Sequence, residues 1–163
     1  MGNRMNAAEF SCGHKDAFMK RISCFLIDNC LFGVDTAYIH DVLPIKEMTR
    51  IPQQKSQYFN RVMQLEDNRF VHVINTDKLL GVSNAPSSDD TRMLVLHIGG
   101  INAGLVVDRI ERLLDVDDAA IMAHQSLSAI PPQFLSGIIT DMDKIIILLN
   151  IEKIATAISG NGD

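Results

Sequence analysis

Apolar and polar residues alternate in short runs along most of this chain, and the runs come in pairs separated by turn residues. Residues 21–27, Asp28-Asn29 and residues 30–34 read as strand, tight turn and strand, with Ile27 facing Cys30 and Cys24 facing Gly33. Tyr38, Ile39 and Val42 fall at helical spacing within residues 35–42, which predicts a short helical turn before Pro44. Residues 48–51 form an extended piece ended by Pro52, and the polar stretch 53–60 reads as an exposed loop. A second hairpin follows, with strands over 62–65 and 69–74 around the turn Glu66-Asp67-Asn68 and β-branched residues in the return strand. Residues 76–80 make a brief helical cap, and the Ser-, Asn- and Asp-rich stretch 81–91 is a linker. A third hairpin joins 93–98 to 101–107 through Gly99-Gly100, and a fourth joins 134–140 to 144–149 through Asp141-Met142. Apolar positions 151, 154, 155 and 158 end the pattern as a helix. The chain is therefore expected to be all-β with short helices.

The pattern also repeats. Phe32-Gly33-Val34-Asp35 recurs in outline as Gly104-Leu105-Val106-Val107-Asp108, and Asn75-Thr76-Asp77-Lys78-Leu79 as Asn150-Ile151-Glu152-Lys153-Ile154. The offsets are 73 residues for the first pair of acids, 75 for the asparagines and 74 for the turn acids Asp67 and Asp141. Three landmarks at nearly one spacing indicate a duplication of a small β unit. The expected organisation is an N-terminal arm over 1–19, a domain over 20–158 and a tail over 159–163. Within the domain, one repeat covers about 20–80 and the other 92–158, with 81–91 as linker.

Charge and composition narrow the chemistry. A net charge of −5 and a pI near 5.4 argue against a nucleic-acid partner, which needs concentrated positive charge. No apolar run approaches the length of about 18 residues that a membrane span needs. Glu9, His14, Lys15 and Asp16 interrupt any signal-peptide core. The three cysteines, Cys12, Cys24 and Cys30, show no framework spacing, which points to reduced thiols and a cytoplasmic location.

The residues do not assemble a reaction centre. Phosphate-binding glycine loops and a nucleophile elbow are both lacking. The five histidines share no metal-ligand spacing, and Cys12-x-His14 is a single pair that cannot close a tetrahedral site. Asp115, Asp117 and Asp118 lack the glycine and later glutamate of a calcium loop and read as a solvated turn. Met93, Met122 and Met142 read as core or interface filler, and Cys24, in a strand, as a small buried hydrophobe. The expectation is a protein that is not an enzyme and holds no cofactor or metal.

Five segments in order resemble the CheW family of bacterial chemotaxis coupling proteins. They are Phe32–Asp35 leading to Ile39-His40-Asp41-Val42, Met48-Thr49-Arg50-Ile51-Pro52, residues 104–114, Leu135-Ser136-Gly137, and residues 143–154. The resemblance implies two pseudo-symmetric, five-stranded, SH3-like β-barrel subdomains around a shared core. It also implies a non-catalytic adaptor that couples a chemoreceptor's cytoplasmic tip to the regulatory domain of a CheA-type histidine kinase. Other CheW-like domains are further partners, joined barrel to barrel, while the receptor's helical hairpin lies in a groove between the two subdomains. Nucleic acid and direct membrane insertion are not expected.

Carried over by position, Ile39, Asp41 and Val42 fall among the residues the family uses toward the receptor. For Ile39 and Val42 the competing reading is plain core packing. The second hairpin departs from the family pattern G-x-x-N-L-R-G, because this chain has Arg61-Val62-Met63-Gln64-Leu65-Glu66-Asp67 there. Both glycines and the arginine are gone, and Glu66 puts a negative charge where a positive one is usual. Two alternatives follow. One is a divergent module that docks to a kinase or sister adaptor without binding ordinary receptors; the other is a small-ligand binder or enzyme on the same scaffold.

Overall fold

The structure is a computed structural model that describes residues 19–50, 58–98, 100–122 and 132–159. The expected arm up to residue 18, the end of the tail beyond 159, Cys12 and His14, Pro52 and most of the 53–60 loop lie outside the described residues. Eleven strands are present among them: β1 Met19–Ile27, β2 Cys30–Asp35, β3 Ile39–Pro44, β4 Met48–Arg50, β5 Phe59–Gln64, β6 Phe70–Ile74, β7 Arg92–Ile98, β8 Ile101–Val107, β9 Arg109–Asp117, β10 Leu135–Asp141 and β11 Lys144–Leu149. Two α-helices, α1 Thr76–Leu80 and α2 Ile151–Ser159, and three single 3-10 turns at Thr36–Tyr38, Asp118–Ala120 and Pro132–Phe134 complete the described elements.

The local turns explain the hairpins. Asp28 and Asn29 both have positive φ, the geometry of a two-residue turn whose twist matches the strands it joins. The register is the one the sequence predicts, Ile27 opposite Cys30 and Cys24 opposite Gly33. At the fourth hairpin the turn is Met142-Asp143, one residue later than expected. Asp141 stays in the ladder opposite Lys144, where Arg112 of β9 is ion-paired with it.

The strands form two sheets, ordered β10-β11-β2-β1-β9 and β3-β7-β8-β6-β5-β4. The first has the expected five strands. The second has six, because β4 adds to its edge; the first sheet has only an isolated bridge, Met122 to Ile138, in the corresponding place. Each sheet takes its central hairpin from the other half of the chain. Parallel pairing makes the exchange: Phe32 lies beside Ile147, and His72 beside Ala103.

Alternation along the strands builds three cores. In β1, Ile22 and Cys24 join the first sheet's own cluster, while Phe25 and Ile27 join a cluster shared by both sheets. In β7, Met93 and Val95 join the second sheet's cluster, and Leu94, Leu96 and Ile98 the shared one. Helix α1 adds Leu79 and Leu80 to the shared core, and α2 adds Ile154 and Ile158. Gly33 and Gly104 occupy matching places in the two parallel ladders. A Cβ on Gly104 would lie 2.6 Å from Met93 Sδ and 2.7 Å from Val71 Cγ1, so the ladder closes there only with glycine.

Three expectations are corrected. Residues 35–42 are not a helical turn throughout: only Thr36–Tyr38 is helical, started by the Asp35 carboxylate accepting from the Ala37 N–H at 2.9 Å, and Ile39 begins β3. The helix-like spacing comes from a bulge at His40, which puts Ile39 and Val42 on one face opposite Leu96 and Leu94. Phe59 and Asn60 are not loop but the start of β5, with Phe59 buried. The acids at 115–118 are a turn only in part, since Asp118 opens a 3-10 turn that the Asp117 carboxylate caps. Asp115 and Asp117 end β9, Asp115 accepts from Arg21 at 2.9 Å, and Asp118 lies 3.4 Å from Lys20. The Arg21 bond holds the Asp115 carboxyl below the usual carboxylate range. Among the three methionines, Met93 is core, whereas Met122 and Met142 are exposed.

Cys24 is buried, and burial pushes its thiol pKa up. The thiolate is the reactive form, so Cys24 is expected to resist iodoacetamide at pH 8 in the native protein and to react once unfolded. Peptide mapping by mass spectrometry checks this; rapid native labelling at Cys24 would contradict its place in the core.

Candidate functional site

The strand exchange sets β3 beside β7 and leaves β5 and its turn at one end of the second sheet. A cleft of about 370 Å³ opens there, lined by Asp41, Leu43, Lys46, Met63, Glu66 and Arg69 among others. Leu43, Met63 and Leu65 supply an apolar floor continuous with the second sheet's core. Polar groups occupy the rim.

The turn Glu66-Asp67-Asn68 is built locally. Leu65 N–H donates to the Arg69 carbonyl at 2.7 Å, Asn68 N–H to the Leu65 carbonyl at 3.2 Å, and Asn68 takes the left-handed conformation that asparagine tolerates. Glu66, the first turn residue, therefore points outward, with its side chain 91% exposed. Its carboxylate lies 3.5 Å from Lys46 Nζ. Arg69 Nε donates to Asp67 at 2.6 Å, and this bond holds the Asp67 carboxyl below its ordinary range. Asp67 holds the Arg69 guanidinium pKa up, with a smaller contribution from Asp41. Because the Asp67 pKa is depressed on folding, the contact acts above the unfolded carboxylate pKa and is lost as pH falls through the folded one. The rim thus carries three acids and two bases in one place.

The four residues singled out in the sequence divide between two faces. Asp41 and Glu66 come together in the cleft. Ile39 packs against the shared core, and Val42, on the same side of β3, is 43% exposed. The Asp41 carboxylate accepts from the Val42 N–H at 2.8 Å, which orients it at the bulge. Lys46, Asp67 and Arg69 were not singled out. For Asp67 and Arg69 the signal is the hairpin itself, whose three-residue turn folds Arg69 back beside Asp67; Lys46, between β3 and β4, has none.

The CheW-like domain model matches residues 21–159. The chain belongs to the CheW-like domain family. A solved relative, the scaffolding protein TtCheW from Thermoanaerobacter tengcongensis, is 26% identical with a TM-score of 0.75, over 87% of this chain and 90% of that one. No curated protein matches the sequence. The CheW-like fold accounts for the two sheets and the shared core described above, and for the general role of a scaffold in chemotaxis signalling. Among the described residues, no helix is long and apolar enough to cross a membrane.

Proposed function

We propose that this CheW-like protein is a non-catalytic adaptor that couples a chemoreceptor tip to the regulatory domain of a CheA-type histidine kinase. The observation that carries this reading is the cleft that joins Asp41 to Glu66, an apolar floor with a charged rim at one end of the second sheet. Such a surface suits helix-in-groove recognition, with apolar anchors for affinity and rim charges for register. Co-purification with a CheA-type regulatory domain and with a receptor-tip fragment tests it. Retention of neither partner would remove the proposal.

Glu66 favours a second reading, a module that docks to a kinase or sister adaptor without taking ordinary receptors. An exposed acid opposite a receptor surface shaped for arginine repels it. Retention or loss of the receptor-tip fragment in the co-purification separates the two readings, and the Glu66→Arg variant tests whether Glu66 faces the receptor. Its site is exposed, so the fold should tolerate it within about 0.5 kcal/mol. If the cleft faces an ordinary receptor, the variant should bind a receptor tip roughly five- to tenfold more tightly at low salt, with the gain shrinking as salt screens it. Equal binding at low salt would sink the assignment of Glu66 to the receptor surface.

A further inference from the structure

A second cleft lies at the opposite end of β5, where the two halves of the fold differ. Both sheets bulge at the same point. Phe59 pairs with Ile74 just before Asn75, and Leu135 pairs with Leu149 just before Asn150; each ladder then skips one residue, Asn60 or Ser136. Asn60 therefore corresponds to Ser136, and Arg61 to Gly137. At Gly137 there is no room for a side chain, since a Cβ would lie 2.6 Å from Ile121 Cγ2 and 2.6 Å from the Met122 carbonyl oxygen. At the matching place the second sheet carries arginine, one of the longest side chains, and the fold opens around it.

The opening is a cleft of about 350 Å³ beneath residues 83–91, lined by Asn60, Arg61, Asn75, Asp77 and further polar groups. The corresponding cleft in the first sheet, with Ser136, Asn150 and Glu152, is about 210 Å³. Arg61 Nε and Asn60 Oδ1 are both shut away from solvent, and neither has a hydrogen-bond partner among the described residues. A shielded donor and a shielded acceptor on residues lining one cleft are costly unless something pairs with each. Arg61 also stands directly opposite Arg50 across β4 and β5, where like charges repel. The acid of the cleft, Asp77, already accepts the Ser83 hydroxyl at 2.6 Å.

We infer that this cleft binds a small hydroxylated oxyanion, of the hydrogen-phosphate or α-hydroxycarboxylate kind. The anionic oxygens accept from the Arg61 guanidinium, which presents its donors as a planar fork matched to such groups. The ligand's own O–H donates to Asn60 Oδ1. Bound negative charge also relieves the repulsion between Arg50 and Arg61. The site sits apart from the Asp41–Glu66 cleft, at the start of β5 rather than its end.

Titration of the full-length protein with inorganic phosphate, L-malate and sulfate in chloride buffer at pH 7, followed by calorimetry and by the melting temperature, tests this. Phosphate and malate should bind saturably, and sulfate, which has no O–H at this pH, more weakly. Arg61→Gly installs the residue found at the matching position and should weaken phosphate binding by about tenfold or more. Should that variant fold poorly, Arg61→Lys keeps the charge, loses the fork and should still bind more weakly. No saturable response at tens of millimolar phosphate or malate, or undiminished binding in both variants, would overturn the inference. Sulfate binding as tight as phosphate would remove Asn60 from the site.

Discussion

Replacing Val107 with aspartate is expected to unfold the protein at neutral pH. Val107 is fully buried in the core shared by the two sheets and sits opposite Arg92 in the β7–β8 ladder. The Arg92 guanidinium across the ladder already donates to the Asp89 and Thr91 carbonyls, so an ionised carboxylate at 107 would sit among apolar core side chains or pull Arg92 away from those acceptors, and the effective penalty for burying such a charge is several kcal/mol. Total stabilities of domains this size are about 5–15 kcal/mol, so one such charge consumes much of the margin. Val107→Ala removes volume without charge and should cost on the order of 2 kcal/mol, leaving a folded protein with a lower melting temperature. The pH dependence supplies a second check. Burial raises the new carboxyl's pKa in the folded state, so the folded form binds the extra proton. The variant should therefore lose stability as pH rises from about 4 toward neutrality, and regain part of it on acidification. Circular dichroism melts at pH 4.5 and 7 read both effects. A cooperative melt at pH 7 matching the parent would mean that Val107 does not face the shared core.

The second large effect concerns the chain's two halves. Cut between Ser87 and Ser88, in an exposed stretch, the protein should yield two fragments that fold only together. The first would carry β1–β6 and lack the β7–β8 hairpin that joins β3 to β6. The second would carry β7–β11 and lack the β1–β2 hairpin that joins β9 to β11. Each would leave the middle of a sheet missing, and with it unpaired strand edges and half of the shared core. Separately, each fragment should show no cooperative transition. Mixed in equal amounts, they should regain a melt and the protection of β7 and β8 amides from hydrogen exchange. A stable cooperative fold in either fragment alone would contradict the structural role of the exchange.

How much of this was open to reading from the chain depends on how local each feature is. The Asp28-Asn29 turn and its register were legible, because positive φ at two residues and strict alternation beside them are properties of a few neighbouring positions. The helices after Asn75 and Asn150 were legible for the same reason. Residues 39–42 imitate a helix because the bulge at His40 inserts one residue into the alternation and leaves two same-face positions three apart. The duplication was visible but its landmarks slipped. Ile22 faces Asp35 whereas Met93 faces Val106, so β8 runs further than β2 before its acid at Asp108. In the cleft, Asp41 and Glu66 were individually visible through the family resemblance, but nothing in their 25-residue separation announced that they share a rim.

Nine of the eleven strands, most of the turns, the duplication and the family are legible in the chain alone, because hydrogen-bonded hairpins and apolar alternation are written within a dozen residues; β3 and β9, which have no tight turn of their own to mark them, are not. Tertiary structure alone decided which hairpin sits in which sheet. The parallel contact of Phe32 with Ile147 joins residues 115 positions apart, and parallel pairing has no turn to mark it. It also decided that Asp41 and Glu66 meet while Ile39 and Val42 face elsewhere. A single bulge reverses which side of a strand its residues occupy, and only the partner strand fixes where that bulge lies.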